Sequence, residues 1–83
     1  MGYFVYILES ERDGSYYVGH TSDLEGRLKR HNEGRSQYTK GRLPWRLAYH
    51  EAFESKAEAM RREYEVKGKK DRSYIEQLVR ASR

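Results

Sequence analysis

Five side chains in this 83-residue chain are suited to work on a phosphate ester: Tyr6, Tyr17, Arg27, His31 and Glu63. A tyrosine hydroxyl can position a water or a phosphate oxygen, although aromatic pairs on neighbouring strands also serve packing alone. Arg27 and His31 stand four apart, so on a helix they can converge on one phosphate, one as a permanent charge and one as a titratable group. His31 would also lie nearly in line with Leu24 down that helix, so a satisfied, core-facing histidine is the plain alternative. Glu63 stands among Ala59, Met60, Tyr64 and Val66, on a helical side expected to be buried, where a carboxylate needs compensation. A hard divalent cation such as Mg²⁺ would supply it from one carboxylate, with water and substrate phosphate completing the shell. A salt bridge to Arg27 or Arg62 would serve equally.

These residues need a scaffold, and the apolar periods supply one. Residues 3–9 read as a strand with two apolar faces, Tyr3/Val5/Ile7 and Phe4/Tyr6/Leu8, as expected of a central strand covered on both sides. Asp13-Gly14 signals a reverse turn, and residues 16–19 form the return strand of an antiparallel hairpin. Tyr6 and Tyr17 share a face in any register whose paired numbers have an odd sum; a loop of about four residues is expected to set them opposite one another. Ser22 and Glu25 have capping-box spacing ahead of a helix carrying Leu24 and Leu28, which Gly34 should end. Residues 35–44 make a long basic connection, of a length more often functional than idle in so small a domain. A third strand follows over residues 45–52. Ser55 and Glu58 repeat the capping-box spacing for a second helix through Ala59, Met60, Tyr64 and Val66 to Gly68. Asp71 is expected to cap a third, with Tyr74, Ile75, Leu78 and Val79 as its apolar stripe. The order is ββαβαα, in one domain over residues 1–83.

Composition narrows the partners. The chain has no cysteine, which rules out disulfides and thiolate zinc sites and fits a reducing compartment. No apolar run approaches the roughly 20 residues needed to span a bilayer, and the N-terminus lacks signal-peptide order, so a cytoplasmic location is expected. Seventeen Lys and Arg against thirteen Asp and Glu give a formal charge of +4, which favours polyanions. Residues 27–46 concentrate it: Arg27, Lys29, Arg30, Arg35, Lys40, Arg42 and Arg46 face one acid, Glu33. Arg30, Arg35, Tyr38, Lys40 and Arg42, with Lys67 beyond them, are the candidate nucleic-acid contacts; Tyr38 and Trp45 could stack on exposed bases. The bland reading is a solvated loop, and for Lys67, Lys69 and Lys70 ordinary compensation of a helix C-terminus.

Phe4-Val5-Tyr6 followed by Tyr17-Val18-Gly19 resembles the paired tripeptides of the GIY-YIG nuclease superfamily. The runs Tyr17-Val18-Gly19-His20-Thr21, Leu24-Glu25-Gly26-Arg27-Leu28-Lys29-Arg30-His31-Asn32 and Ala59-Met60-Arg61-Arg62-Glu63 resemble its small stand-alone YhbQ-like branch. Together the likeness covers nearly the whole chain. It implies an α+β fold with a central three-stranded antiparallel sheet flanked by helices, and a nuclease using one divalent ion, Mg²⁺ or Mn²⁺. The implied products carry 5′-phosphate and 3′-hydroxyl ends, in DNA repair or processing, with DNA ahead of RNA as partner. It further implies that Tyr6 or a neighbouring base prepares the water, Tyr17 and Arg27 hold the scissile phosphate, His31 assists proton transfer and Glu63 binds the metal. A phenol with a pKa near about 10 is a poor base at neutral pH, so Tyr6 would need help from Arg27, His31 or the metal. The chain departs from the family pattern at Phe4 and Val5, and at Ile75, which stands where many larger members carry Asn. The second expectation is a non-catalytic nucleic-acid-binding module of the same fold. A protein-interaction role explains the charge poorly. Larger nucleases of this class append a recognition domain, so weak sequence specificity is expected here.

Overall fold

A computed structural model describes residues 2–35, 37, 39–69 and 72–81; Tyr38, Lys70 and Asp71 lie outside the described residues. β1 (Tyr3–Ser10) is the middle strand of a three-stranded antiparallel sheet, with β2 (Tyr16–Thr21) on one side and β3 (Trp45–Phe53) on the other. Its two apolar faces explain that position. Val5 and Ile7 join Val18, Ala59, Val66 and Val79 in one core, covered by α2 (Lys56–Gly68) and α3 (Arg72–Ala81). Tyr6 and Leu8 join Trp45 on the opposite face, packed by Leu24 and Leu28 of α1 (Leu24–Asn32). Both layers form because β1 has no polar side to leave in water.

The hairpin loop has the four residues expected, closed where Ser10 N donates to Ser15 O at 2.8 Å. Tyr6 nevertheless pairs with Gly19, and Tyr17 with Leu8, so the two tyrosines are diagonal on one face and not opposite. The reason is local. Gly14 takes φ of 75° and Asp13 Oδ1 accepts from Ser15 N at 2.9 Å, so Gly14 belongs to the turn and pairing begins one residue later.

The cap of α1 is Asp23, not Ser22: its carboxylate accepts from Gly26 N at 3.1 Å, while Thr21 Oγ1 accepts from Asp23 N at 3.0 Å. Starting one residue later leaves Leu24 and Leu28 against the Tyr6 face. Gly34, at φ 77°, follows the helix end as expected. In α2, Ser55 Oγ accepts from Glu58 N at 3.2 Å, the cap the sequence predicts. Its buried positions are Ala59 and Val66, however, while Met60 is 48% and Tyr64 82% exposed. The inward stripe runs Ala59, Glu63, Val66, one residue away from the stripe that Met60 and Tyr64 suggest. Val79 of α3 is buried and Tyr74, Ile75 and Leu78 pack on the same core.

Candidate active site

On the α1 face, three rings from three elements meet. The Tyr6 hydroxyl lies 3.1 Å from His31 Nε2, and the Tyr17 ring stands 4.9 Å from the His31 ring, centroid to centroid. His31 Nδ1 lies 2.8 Å from Thr39 Oγ1, so both ring nitrogens have partners. Thr39 is itself buried, and its carbonyl accepts from Trp45 Nε1 at 2.9 Å. Gly19 makes room for this cluster. A Cβ there would stand 2.6 Å from the Tyr6 hydroxyl oxygen and 3.2 Å from a Tyr17 ring carbon, so the third residue of the second tripeptide must lack a side chain.

Tyr6 and His31 are each 2% exposed, and burial sets both protonation states. It pushes the Tyr6 phenol well above its ordinary range; neighbouring Tyr17 and Glu63 add to the shift and Arg27 opposes it. It lowers His31 below the ordinary imidazole value, helped by the positive charges of Arg27 and Arg30. The resting pair is therefore a neutral phenol and a neutral imidazole. His31, Tyr17, Arg27, Arg30 and Arg35 line a cleft of about 130 Å³. The i, i+4 pair Arg27 and His31 thus converges on one small basic pocket, and His31 is at once core-facing and cleft-lining.

Glu63 reaches toward the same strand from the other face of the sheet. Its side chain is 17% exposed, with Oε1 on His20 Nδ1 and Oε2 accepting from Lys67 Nζ at 2.6 Å. Burial alone would raise its pKa, but the Lys67 and His20 hydrogen bonds outweigh this and hold the carboxyl below the usual range. Neither expected salt bridge forms: Arg62 is engaged by Glu51, Glu65 and the Tyr74 hydroxyl. Two features join the faces around the edge of β2. Lys67 Nζ lies 6.0 Å from the centroid of the Tyr17 ring. Arg27 lines both the Tyr17 and His31 cleft and a second one beside His20 and Lys56.

His20 is the residue that sequence reasoning passed over. The signal was available, because strand alternation puts it on the Val18 side, toward α2; its meeting with Glu63 depends on how α2 docks. Among the basic residues, Arg30 and Arg35 line the cleft, with Arg35 also 3.2 Å from Glu33. Lys67 is closer to the centre than a helix-end lysine need be. Lys40 and Arg42 are exposed on a 3-10 turn that packs against the hairpin loop, where Arg12 donates to Gly41 O and Ser10 Oγ to Arg42 O. They lie apart from the residues that line the cleft. Trp45 is buried in the core and is not available for stacking on bases.

One carboxylate fits a divalent ion only in part-hydrated form. Among the described residues no group of three or more His, Cys, Asp or Glu is placed to cage a metal. Glu63 offers a hard oxygen beside groups suited to phosphate, which is the donor set for an ion completed by water and substrate.

The model of the GIY-YIG catalytic domain matches residues 2–75. The chain belongs to the GIY-YIG family. That family is generally a nuclease fold acting on nucleic acid, and the UPF0213 relatives place the chain in its small stand-alone branch. UPF0213 protein BH0048 of Halalkalibacterium halodurans is 54% identical over 68 residues, 81% of this chain and 71% of the relative. A UPF0213 protein of Halobacterium salinarum is 50% identical over 64 residues, 76% of this chain and 82% of that one. The solution structure of BH0048 superposes with a TM-score of 0.61 at 51% identity, covering 98% of this chain and 85% of the other. The name UPF0213 states no reaction. No helix among the described residues is long and apolar enough to cross a membrane.

Proposed function

We propose that this GIY-YIG domain is a metal-dependent nuclease that hydrolyses phosphodiester bonds in nucleic acid, with DNA the favoured substrate and repair or processing the setting. The observation that carries this reading is the cleft lined by Tyr17, Arg27, Arg30, His31 and Arg35, with Glu63 around the adjacent strand edge. Three guanidinium groups with a phenol and an imidazole make a phosphate site, where fixed positive charge meets charge that grows during in-line attack.

Tyr17 and Arg27 orient the scissile phosphate, with Arg30 and Arg35 holding its neighbours. Tyr6 cannot act as a standing phenolate, since its environment pushes its pKa far up. It acts as a relay: the attacking water gives its proton to the Tyr6 oxygen as Tyr6 gives its own to His31 Nε2. For Nε2 to accept, the imidazole proton must sit on Nδ1, where Thr39 Oγ1, 2.8 Å away, is placed to accept its hydrogen bond. Glu63 would hold the divalent ion, which when bound supplies charge neutralisation at the phosphate and the departing 3′ oxygen. The P–O3′ bond breaks, the departing 3′ oxygen takes a proton from solvent, and the products carry a 5′-phosphate and a 3′-hydroxyl.

A second reading, a binding module that does not cut, has one observation in its favour: both Glu63 oxygens are already engaged, by His20 and Lys67. One experiment separates the two. Labelled single-stranded, duplex and branched DNA and RNA are incubated with Mg²⁺, Mn²⁺ or EDTA, alongside Glu63→Ala and Tyr6→Phe variants checked for folding. Metal-dependent products lost in folded Glu63→Ala support the nuclease. Binding with no product under any metal supports the module.

A further inference from the structure

We infer that the groove between β2 and the helices α2 and α3 receives an unpaired nucleobase of the strand being cut. The inference rests on the nuclease reading above and adds a substrate class to it: nucleic acid that is single-stranded, or unpaired, beside the scissile phosphate.

The groove has a volume of about 440 Å³. Tyr16, Tyr17 and Val18 form one wall, Val66 and Ile75 the other, and Lys67 and Arg72 are the charged residues lining it. Among the described residues no carboxylate lines it. Arg72 is held over the Tyr16 ring, 4.8 Å from its centroid, by a 2.8 Å hydrogen bond to Gly14 O and a 2.9 Å ion pair with Glu76. Lys67 reaches toward Tyr17. The result is a slot with aromatic and aliphatic walls and two cations, the pattern of a site that takes a flat ring while its flanking phosphates meet positive charge.

Continuity selects the occupant. Tyr17 and Lys67 belong both to this groove and to the candidate site, so a strand whose phosphate is held at Tyr17 has its next base at the groove mouth. The two cations and the chain's charge of +4 disfavour a second copy of the protein. A base inside a duplex is stacked and paired and cannot enter such a slot without being extruded.

The test compares two single strands of equal length and charge, one carrying thymine (uracil in the RNA version) at each position and one fully abasic, in DNA and RNA versions and with EDTA present to stop cleavage. Binding is read by fluorescence anisotropy, and the contact is located by two-dimensional NMR of the wild-type protein. The expected result is affinity about 10-fold higher for the base-bearing strand. Resonances of Tyr16, Val66 and Ile75 should shift with that strand and not with the abasic one. Arg72→Ala, at an exposed position, and Ile75→Trp, which fills the slot, should each remove most of the difference. Equal affinity for both strands, or base dependence without shifts in the groove, overturns the base site and leaves the nuclease reading standing. Absence of binding by either strand also overturns the base site, and the metal-dependent cleavage panel then decides the nuclease reading by itself. The DNA and RNA arms show which strand supplies the base.

Discussion

The Tyr6 hydroxyl sits 3.1 Å from His31 Nε2, so the first tripeptide of the family and a helix 25 residues away share a single hydrogen bond. A neutral imidazole carries one ring proton, and His31 has a partner at each nitrogen. With the ring proton on Nδ1, that nitrogen donates to Thr39 Oγ1 and Nε2 accepts from Tyr6; with Thr39 donating to Nδ1, the proton sits on Nε2, which donates to Tyr6. The chemistry assigned to two residues therefore depends on a third, in the basic connection between α1 and β3.

Thr39→Val should expose that dependence. The substitution keeps the volume but leaves Nδ1 buried without a partner, at a cost of about 1–3 kcal/mol. Cleavage per folded molecule should fall as well, because the tautomer is no longer fixed, and Thr39→Ser should restore both. Urea unfolding and single-turnover cleavage measure the two effects. Cleavage by folded Thr39→Val equal to wild type would refute the tautomer role.

The depressed His31 pKa makes stability depend on pH in a definite window. Because burial and the Arg27 and Arg30 charges lower the folded value below 6.5, the unfolded chain binds the extra proton first as pH falls. The stability is complete above about pH 6.5 and is lost as pH drops toward the folded pKa. Glu51, whose hydrogen bonds from Arg62 and Tyr49 outweigh its burial, adds a separate loss below the ordinary carboxyl value of 4.5. Urea midpoints between neutral pH and pH 4 should show both steps, and His31→Gln should remove only the upper one.

Much of this arrangement is legible in the chain. Alternation in β1 shows a central strand because both residue sets are apolar, and Ser55 and Gly34 mark helix ends by local hydrogen bonding and backbone geometry alone. What escapes is what depends on docking. The diagonal offset of Tyr6 and Tyr17 follows from Gly14 sitting inside the turn, a one-residue choice with parity unchanged. Met60 and Tyr64 suggest a buried stripe that α2 in fact turns to solvent, while Glu63 is inward because it lies between Ala59 and Val66. His20 meets Glu63 only through the register of β2 against α2, and no local pattern carries that. Trp45, grouped with the basic loop by sequence proximity, is the first residue of β3 and belongs to the core.

Gly19→Ala should destabilise the fold and misplace Tyr6 together. The new methyl would stand 2.6 Å from the Tyr6 hydroxyl and 2.8 Å from Cζ, so the ring must move. Overpacking of this kind costs about 1–3 kcal/mol. Combining it with Tyr6→Phe removes the nearer of the two clashing atoms and should recover part of the loss, giving a non-additive double-mutant cycle in urea. Additive costs would mean that Gly19 is required for some other reason.

Arg62→Ala and Arg27→Ala should separate scaffold from chemistry. Arg62 is 19% exposed and ties Glu51 of β3 to α2 and, through the Tyr74 hydroxyl, to α3. Its removal leaves a part-buried carboxylate without its cation and should cost about 1–3 kcal/mol, discounted from the fully buried case for solvent screening. Cleavage by the remaining folded protein should change little. Arg27→Ala should instead leave stability nearly intact and lower both nucleic-acid affinity and turnover. Thermal unfolding and cleavage normalised to the folded fraction distinguish the two, and equal losses of turnover in both variants would contradict the assignment.

Lys67→Ala should move metal and nucleic-acid dependence in opposite directions. Lys67 Nζ holds Glu63 Oε2 at 2.6 Å, so a divalent ion that uses Glu63 competes with an ammonium for the same oxygen. Lys67 itself is half-exposed, and such pairs are worth about 0.2–1 kcal/mol, so its loss should lower the half-saturating Mg²⁺ concentration by roughly 1.4- to 5-fold. The same substitution removes a cation beside Tyr17, so binding of a nucleic-acid strand with EDTA present should weaken and its salt dependence should become shallower. Titrating Mg²⁺ at saturating substrate, and substrate in EDTA, measures the two effects separately. An unchanged or raised Mg²⁺ requirement would place the ion away from Glu63.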